Sequence, residues 1–239
     1  MAARLAAACA ARLVDTAVQV EGGTGWYTMD SGRPLTGFSH GAAGIGWALL
    51  RYAARTGDAA ARAAGRAALA YERSLFRPDL DNWPDLRQLP DRPWARRSEP
   101  VEVPHMHAWC HGAPGTGLAR AALPAGERDA DTAADLTRAL RSTAVFGHFG
   151  NHSICHGDLG NLELFTVAAR AGAPDAAGHR DTLAAAVLGH LDRVGPRCGT
   201  PSSVPTPGLM TGLSGIGHGL LRLAAPDRIA PVLLLAVRP

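Results

Sequence analysis

Aromatic residues make up only 5% of the chain, and cysteine occurs 4 times in 239 residues. With no secretory leader in front of them, so few cysteines argue against an extracellular disulfide framework. Charge of one sign is scarce in any one place. The net charge is +3, arginines and aspartates are interspersed, and no basic run is long enough to form a nucleic-acid footprint. No apolar run approaches the length of a membrane span. The opening MAARLAAACAARLVD is interrupted by Arg4 and Arg12. It reads as an amphipathic helix, with Leu5, Cys9 and Leu13 on one side, rather than as a signal peptide. Val232 to Leu235 are apolar but too few to anchor the chain. These absences place the protein in the cytoplasm by default. Alternating strand patterns of useful length are missing too.

What is abundant is alanine, the strongest helix former. Apolar residues at 46% and charged residues at 19% are ordinary for a soluble globular protein, and the length allows one or two domains. A glycine pattern recurs along the chain. It reads HGAAGIG from His40, HGAPGTG from His111, HGDLGNL from His156 and TGLSGIG from Thr211. A helical pattern follows each copy. Ile45, Leu49 and Tyr52 share a face, as do Leu162, Phe165 and Ala169, and Ile216, Leu220 and Leu223. The second copy opens only a short helix, ending near Leu123 and Pro124. Further helical stretches are expected at about 2–17, 59–76, 130–146 and 176–194. The unit is an Ala-rich helix, a loop, a Gly-rich turn and a second helix. Such pairs cannot bury their faces alone and must stack, as a solenoid or a closed α/α toroid. Gly-rich turns let the chain enter helices at a crowded centre, with free N–H groups directed there.

The segment 76–109 breaks this rhythm with Pro, Trp and Arg, and reads as an ordered surface or lid loop. Its Arg87, Arg92, Arg96 and Arg97 belong to a solvated loop or face an acidic partner. Asp158, beside the third turn, is expected to cap the helix that follows.

Two of the four cysteines precede a histidine, as Cys110-His111 and Cys155-His156, at matching positions of two repeats. Zinc favours thiolate and imidazole ligands, and catalytic sites commonly keep three protein ligands with one position open. Cys110, Cys155 and His156 are therefore the expected zinc ligands. His111 is either a fourth ligand or a substrate or acid–base contact over the cavity. Cys9 and Cys198 lie outside the turns and are expected to pack in the core.

At GFSHGAAGIGWALLR, NWPDLR, AWCHGAPGTGLAR, NHSICHGDLGNLELF and TPGLMTGLSGIGHGLLRLA the sequence resembles the lanthionine synthetase C-like family. The likeness is to the C-terminal cyclase half of class II lanthipeptide synthetases and runs from about Gly22 to the end. It implies an all-α fold, an α/α toroid over residues 1–239, with zinc at its centre. It implies cyclisation of a ribosomal precursor peptide, in which a cysteine thiol adds to dehydroalanine or dehydrobutyrine and forms a thioether. Carried over by position, Cys110, Cys155 and His156 hold zinc, His40 is the acid–base histidine, and His111 follows the first zinc cysteine. The pattern departs from the family in several ways. The family toroid has more helical pairs than the four turns found here, and the dehydratase half is absent. The aspartate that partners the acid–base histidine has no counterpart at a turn before His40. The family arginine before the first zinc cysteine is replaced by His105-Met106-His107, so its role is unfilled or passes to a histidine. These departures suggest a truncated or split cyclase that pairs with a dehydratase or with the missing portion. Other readings are a non-catalytic zinc or peptide scaffold, an enzyme adding glutathione-type thiols, and an α/α-toroid glycosidase, which would want paired carboxylates at the turns.

Overall fold

The computed structural model describes residues 1–29, 32–87 and 104–236. Its elements are α1 (Ala2–Asp15), a hairpin of β1 (Val18–Val20) and β2 (Gly23–Gly25), α2 (Ala42–Thr56), α3 (Ala59–Ser74), α4 (Ala113–Ala121), α5 (Ala130–Phe146), α6 (Asp158–Arg170), α7 (Ala176–Val194) and α8 (Leu213–Ala224). Short 3₁₀ turns lie at 125–127, 201–203 and 232–234. The expected all-α fold is what is found. The expected helices at 130–146 and 176–194 match α5 and α7, while those at 2–17 and 59–76 end two residues early. The hairpin was not expected. It is antiparallel, pairing Val18 with Gly25 and Val20 with Gly23, and its strands have three residues each. No helix among the described residues is long and apolar enough to cross a membrane.

The helices alternate between two layers. α2, α4, α6 and α8 pack side by side in chain order as an inner row. α3, α5 and α7 each pack on the inner helix that precedes them. Local sequence explains the outer helix starts. Asp58 accepts the Ala61 amide, and Asp129 forms a reciprocal capping box with Thr132. Gly57, at φ 78°, ends α2 in the left-handed conformation that glycine adopts freely.

The inner helices start differently. Gly41, Gly112, Gly157 and Gly212 stand at their N-caps, with no side-chain cap bond. In each turn the approaching loop arches back over the first helical turn. Ala42 N–H donates to Leu35, Asp158 N–H to Asn151 and Leu213 N–H to Thr206. The arch leaves no room for side chains three residues into the helix. A Cβ at Gly44, Gly115, Gly160 or Gly215 would lie 1.9, 2.0, 2.1 or 1.8 Å from the carbonyl oxygen of Phe38, Trp109, Ile154 or Leu209. The repeated glycines are thus a steric requirement of the arch.

The main core joins the inner helices through Phe38, Trp47, Leu50, Leu118, Leu162 and Phe165. A second cluster places Ala10, Trp26, Leu49, Ala61 and Tyr71 between α1, α2 and α3. α1 does not bury the face expected of it. Ala10 is its buried residue, Leu13 and Val14 pack partly, and Leu5 and Cys9 face outward. With alanines on nearly every side, the position of the few larger residues did not decide which face packs.

Candidate metal centre

The inner turns are stitched to one another through equivalent residues. Ser39 N–H donates to the Cys110 carbonyl at 3.5 Å, Cys110 N–H to Cys155 at 3.4 Å, and Cys155 N–H to Met210 at 2.9 Å. Each of these residues immediately precedes a copy of the glycine motif. The lateral ladder therefore brings matching side chains to one rim.

At that rim the ligand atoms of Cys110, Cys155 and His156 all lie within 4.8 Å of one another, the one such group among the described residues. Cys110 is buried, and the other two are half-buried. The Cys155 thiol donates toward Cys110, so this hydrogen bond pulls the Cys110 thiol below its usual range and holds Cys155 above it. The charge of Arg87 favours the thiolate form of both. Two sulfurs sharing a proton beside an imidazole form a donor set that suits zinc. The imidazole is already oriented. His156 Nε2 lies 2.7 Å from the Gly199 carbonyl, so Nε2 carries the proton and Nδ1 keeps the free lone pair. The residues thus fit a zinc ion.

Two imidazoles flank the cluster. His40 and His111 stack with ring centroids 5.3 Å apart and an angle of 23° between planes. His111 is fully buried, and neither ring nitrogen has a hydrogen-bond partner among the described residues. Asp85 Oδ1 is 3.6 Å from its Nδ1. Burial lowers the pKa of His111 to about 4, assisted by Arg87 and His40 and opposed by Asp85. Burial and then Arg87 also lower His40. Both rings are therefore neutral at pH 7. The Thr28 hydroxyl holds the His40 carbonyl.

Asp85 and Arg87 come from NWPDLR, a motif to which the sequence reading gave no chemical role. Burial would raise the Asp85 carboxyl, but the Arg87 side chain on it and the nearby His111 hold it below the usual range. Arg87 Nε donates to Asp85 at 2.9 and 3.1 Å, and Nη2 completes the fork. Arg87 is thus a clamped cation beside the thiols rather than part of a solvated loop. Arg92, Arg96 and Arg97 lie outside the described residues. Asn82 of the same motif accepts the Ala113 amide at 2.8 Å and so caps α4 from a distance. Only the run of Pro and Trp in this segment hinted that it was held in place.

One further expectation needs correction. Asp158 is the first residue of α6 and does not cap it. Its carboxylate turns back to accept the Phe149 amide at 2.6 Å, the Gly150 amide at 3.2 Å and His148 Nδ1 at 3.1 Å. The arched loop satisfies the helix start instead. His107, one of the two histidines before Cys110, is bonded away from the thiols. Its Nε2 bonds Ser142 at 3.0 Å, and Asn161 holds its carbonyl. Cys198 is buried as expected.

Paired inner and outer helices, with a thiol–imidazole cluster on the inner turns, define an α/α toroid protein with a candidate metal centre. The model of the family described as lanthionine synthetase C-like protein matches residues 4–235, and the chain belongs to that family. Among solved structures the fold is similar to that of nisin cyclase, with a TM-score of 0.59 and 20% identity over 84% of this chain. The likeness covers 50% of nisin cyclase, so the chain spans about half of that protein's length. No curated protein sequence matches the chain.

Proposed function

We propose that the protein is a lanthipeptide cyclase-type domain that adds a peptide cysteine thiol to dehydroalanine or dehydrobutyrine, with zinc held by Cys110, Cys155 and His156. The observation that carries this reading is the convergence of those three ligands with the His40–His111 stack at one rim. Family membership supports it.

When bound, zinc lowers the pKa of a substrate thiol and keeps it nucleophilic at neutral pH. The remaining work falls to the chain's own groups. Neutral His40 accepts the proton that leaves the thiol. Sulfur forms its bond to the β-carbon as the alkene π bond breaks, and the electron pair moves toward the neighbouring carbonyl. His40 then returns its proton to the α-carbon, so the net change is addition of S–H across C=C. A ring lowered in pKa by burial suits both steps, because it is unprotonated at rest and acidic once charged. Arg87, fixed by Asp85, stands ready for the oxygen on which negative charge develops. His111 packs behind His40 and keeps its ring plane aligned.

The test starts with metal analysis. One zinc per chain is expected in the wild type and a near-zero value in Cys155→Ala. A dehydrated precursor peptide should then lose its free thiol without change of mass. Bound zinc without thiol consumption would favour a peptide-binding scaffold instead.

A further inference from the structure

Glu72 belongs to the last turn of α3, an outer helix, yet its carboxylate is fully buried. Burial of a carboxylate is costly unless hydrogen bonds replace its water. Burial raises its pKa, against the charge of Arg120 and hydrogen bonds from Gly37, Thr116 and Ala43. Oε1 accepts the Gly37 amide at 2.9 Å and the Thr116 hydroxyl at 3.0 Å. Gly37 is three residues before His40, and Thr116 lies in the first turn of α4, just after Cys110-His111. One oxygen atom therefore ties two neighbouring inner turns together. There is no slack between them. Gly37 has φ 93°, and a Cβ on it would fall 2.4 Å from the Cys110 carbonyl and 3.1 Å from His111 Nδ1. Any shift of Gly37 moves the His40 turn against the His111 ring.

We infer that Glu72 is a positioning residue, which latches the His40 turn onto the Cys110-His111 turn and so fixes the proton-transferring imidazole relative to the thiol centre. This rests on the cyclase reading above. Glu72 acts through its hydrogen bonds to Gly37, Thr116 and Ala43. Its role is separate from zinc retention, because its hydrogen bonds go to Gly37, Thr116 and Ala43 and not to Cys110, Cys155 or His156.

The test compares Glu72→Met, which keeps bulk but accepts no hydrogen bond, with Glu72→Gln, which keeps an acceptor oxygen. Exchange of the Gly37 amide should accelerate by about tenfold or more in Glu72→Met and return toward the wild-type rate in Glu72→Gln. With a cysteine peptide containing dehydroalanine, kcat should fall on the order of 10²-fold in Glu72→Met, with KM and zinc content unchanged. In a His40→Asn background the same substitution should cost nothing further, because the group it positions is gone. A full additional loss there, or Gly37 exchange as slow as in the wild type, would overturn the inference. If Glu72→Met fails to fold, Thr116→Val cuts one arm of the latch and should lower kcat several-fold with zinc retained. A wild-type protein that consumes no thiol would sink the cyclase reading, while Gly37 exchange would still decide whether the latch exists.

Discussion

The Cys110 amide donates to the Cys155 carbonyl at 3.4 Å. That bond joins the two turns that supply both candidate thiolate ligands. It is one rung of a ladder from Ser39 to Met210, so backbone bonds hold the turns that carry the candidate ligands. Ligand loss and fold loss should therefore separate. Cys110→Ala or Cys155→Ala is expected to remove zinc, read by elemental analysis, while circular dichroism keeps its helical signal.

The second ligand shell gives a finer test. The carbonyl of Gly199 orients His156, and a Cβ at Gly199 would lie 2.7 Å from His156 Nε2 and 2.5 Å from Ser153 Oγ. Gly199→Ala should weaken zinc binding by about 10–100-fold in chelator competition, with all three ligands still present.

The Asp85–Arg87 pair should matter for the reaction and not for the metal. Asp85→Ala frees the Arg87 guanidinium from its fork. Zinc content is expected to stay at the wild-type level, and thiol addition to slow on the order of 10–100-fold. An unchanged rate would remove Arg87 from the mechanism.

Acid should destabilise the fold through His107. Free in an unfolded chain this ring titrates near 6.5, and burial, with His105 beside it, lowers it to about 4 in the folded protein. Above pH 6.5 neither state is charged and stability is complete. As pH falls toward 4, the unfolded chain takes up a proton that the folded one refuses. Folding should lose up to about 3 kcal/mol across that window from this group. Urea titrations at pH 7 and pH 5 read the loss, and His107→Gln should remove this group's share of it, while the shares of His111 and His152, also lowered to about 4, remain.

Glycines in the same chain should respond in opposite directions. Gly115→Ala drives a Cβ to 2.0 Å from the Trp109 carbonyl and should cost about 3 kcal/mol or more. Gly178, inside α7, has open space around it. Gly178→Ala should therefore stabilise by roughly 0.5–1 kcal/mol, since alanine loses less backbone entropy in a helix. Chemical denaturation of both variants measures the contrast.

The convergence of Cys110, Cys155 and His156 was legible in the sequence because a repeat is a ruler. Equal offsets from the glycines put Cys110 and Cys155 at equal places on successive inner helices. The extents of α5 and α7 were legible because alanine-rich helical runs are local signals. Asp85 and Arg87 were not, because they reach the site across the fold from a segment whose spacing carries no period, and Glu72 was not, because a helical pattern does not say which distant turn its carboxylate meets. The hairpin escaped notice because half of its six paired positions are Gly or Thr beside a positive-φ turn, too short for alternation to show. Cys9 misled because a helix made mostly of alanine can turn almost any side to its neighbours.

The arched turns also say where this chain tolerates genetic drift. A change from glycine to alanine needs one nucleotide and gives the residue this protein uses most freely elsewhere. At Gly178 and Gly189 of the outer helix α7 such a change passes unnoticed or helps. At the inner turns each arch presses a carbonyl oxygen against the Cα hydrogens of its own glycine. There the mildest available mutation becomes a steric fault. Sequence divergence should therefore run fast on the outside of the molecule and stall in a ring around its centre.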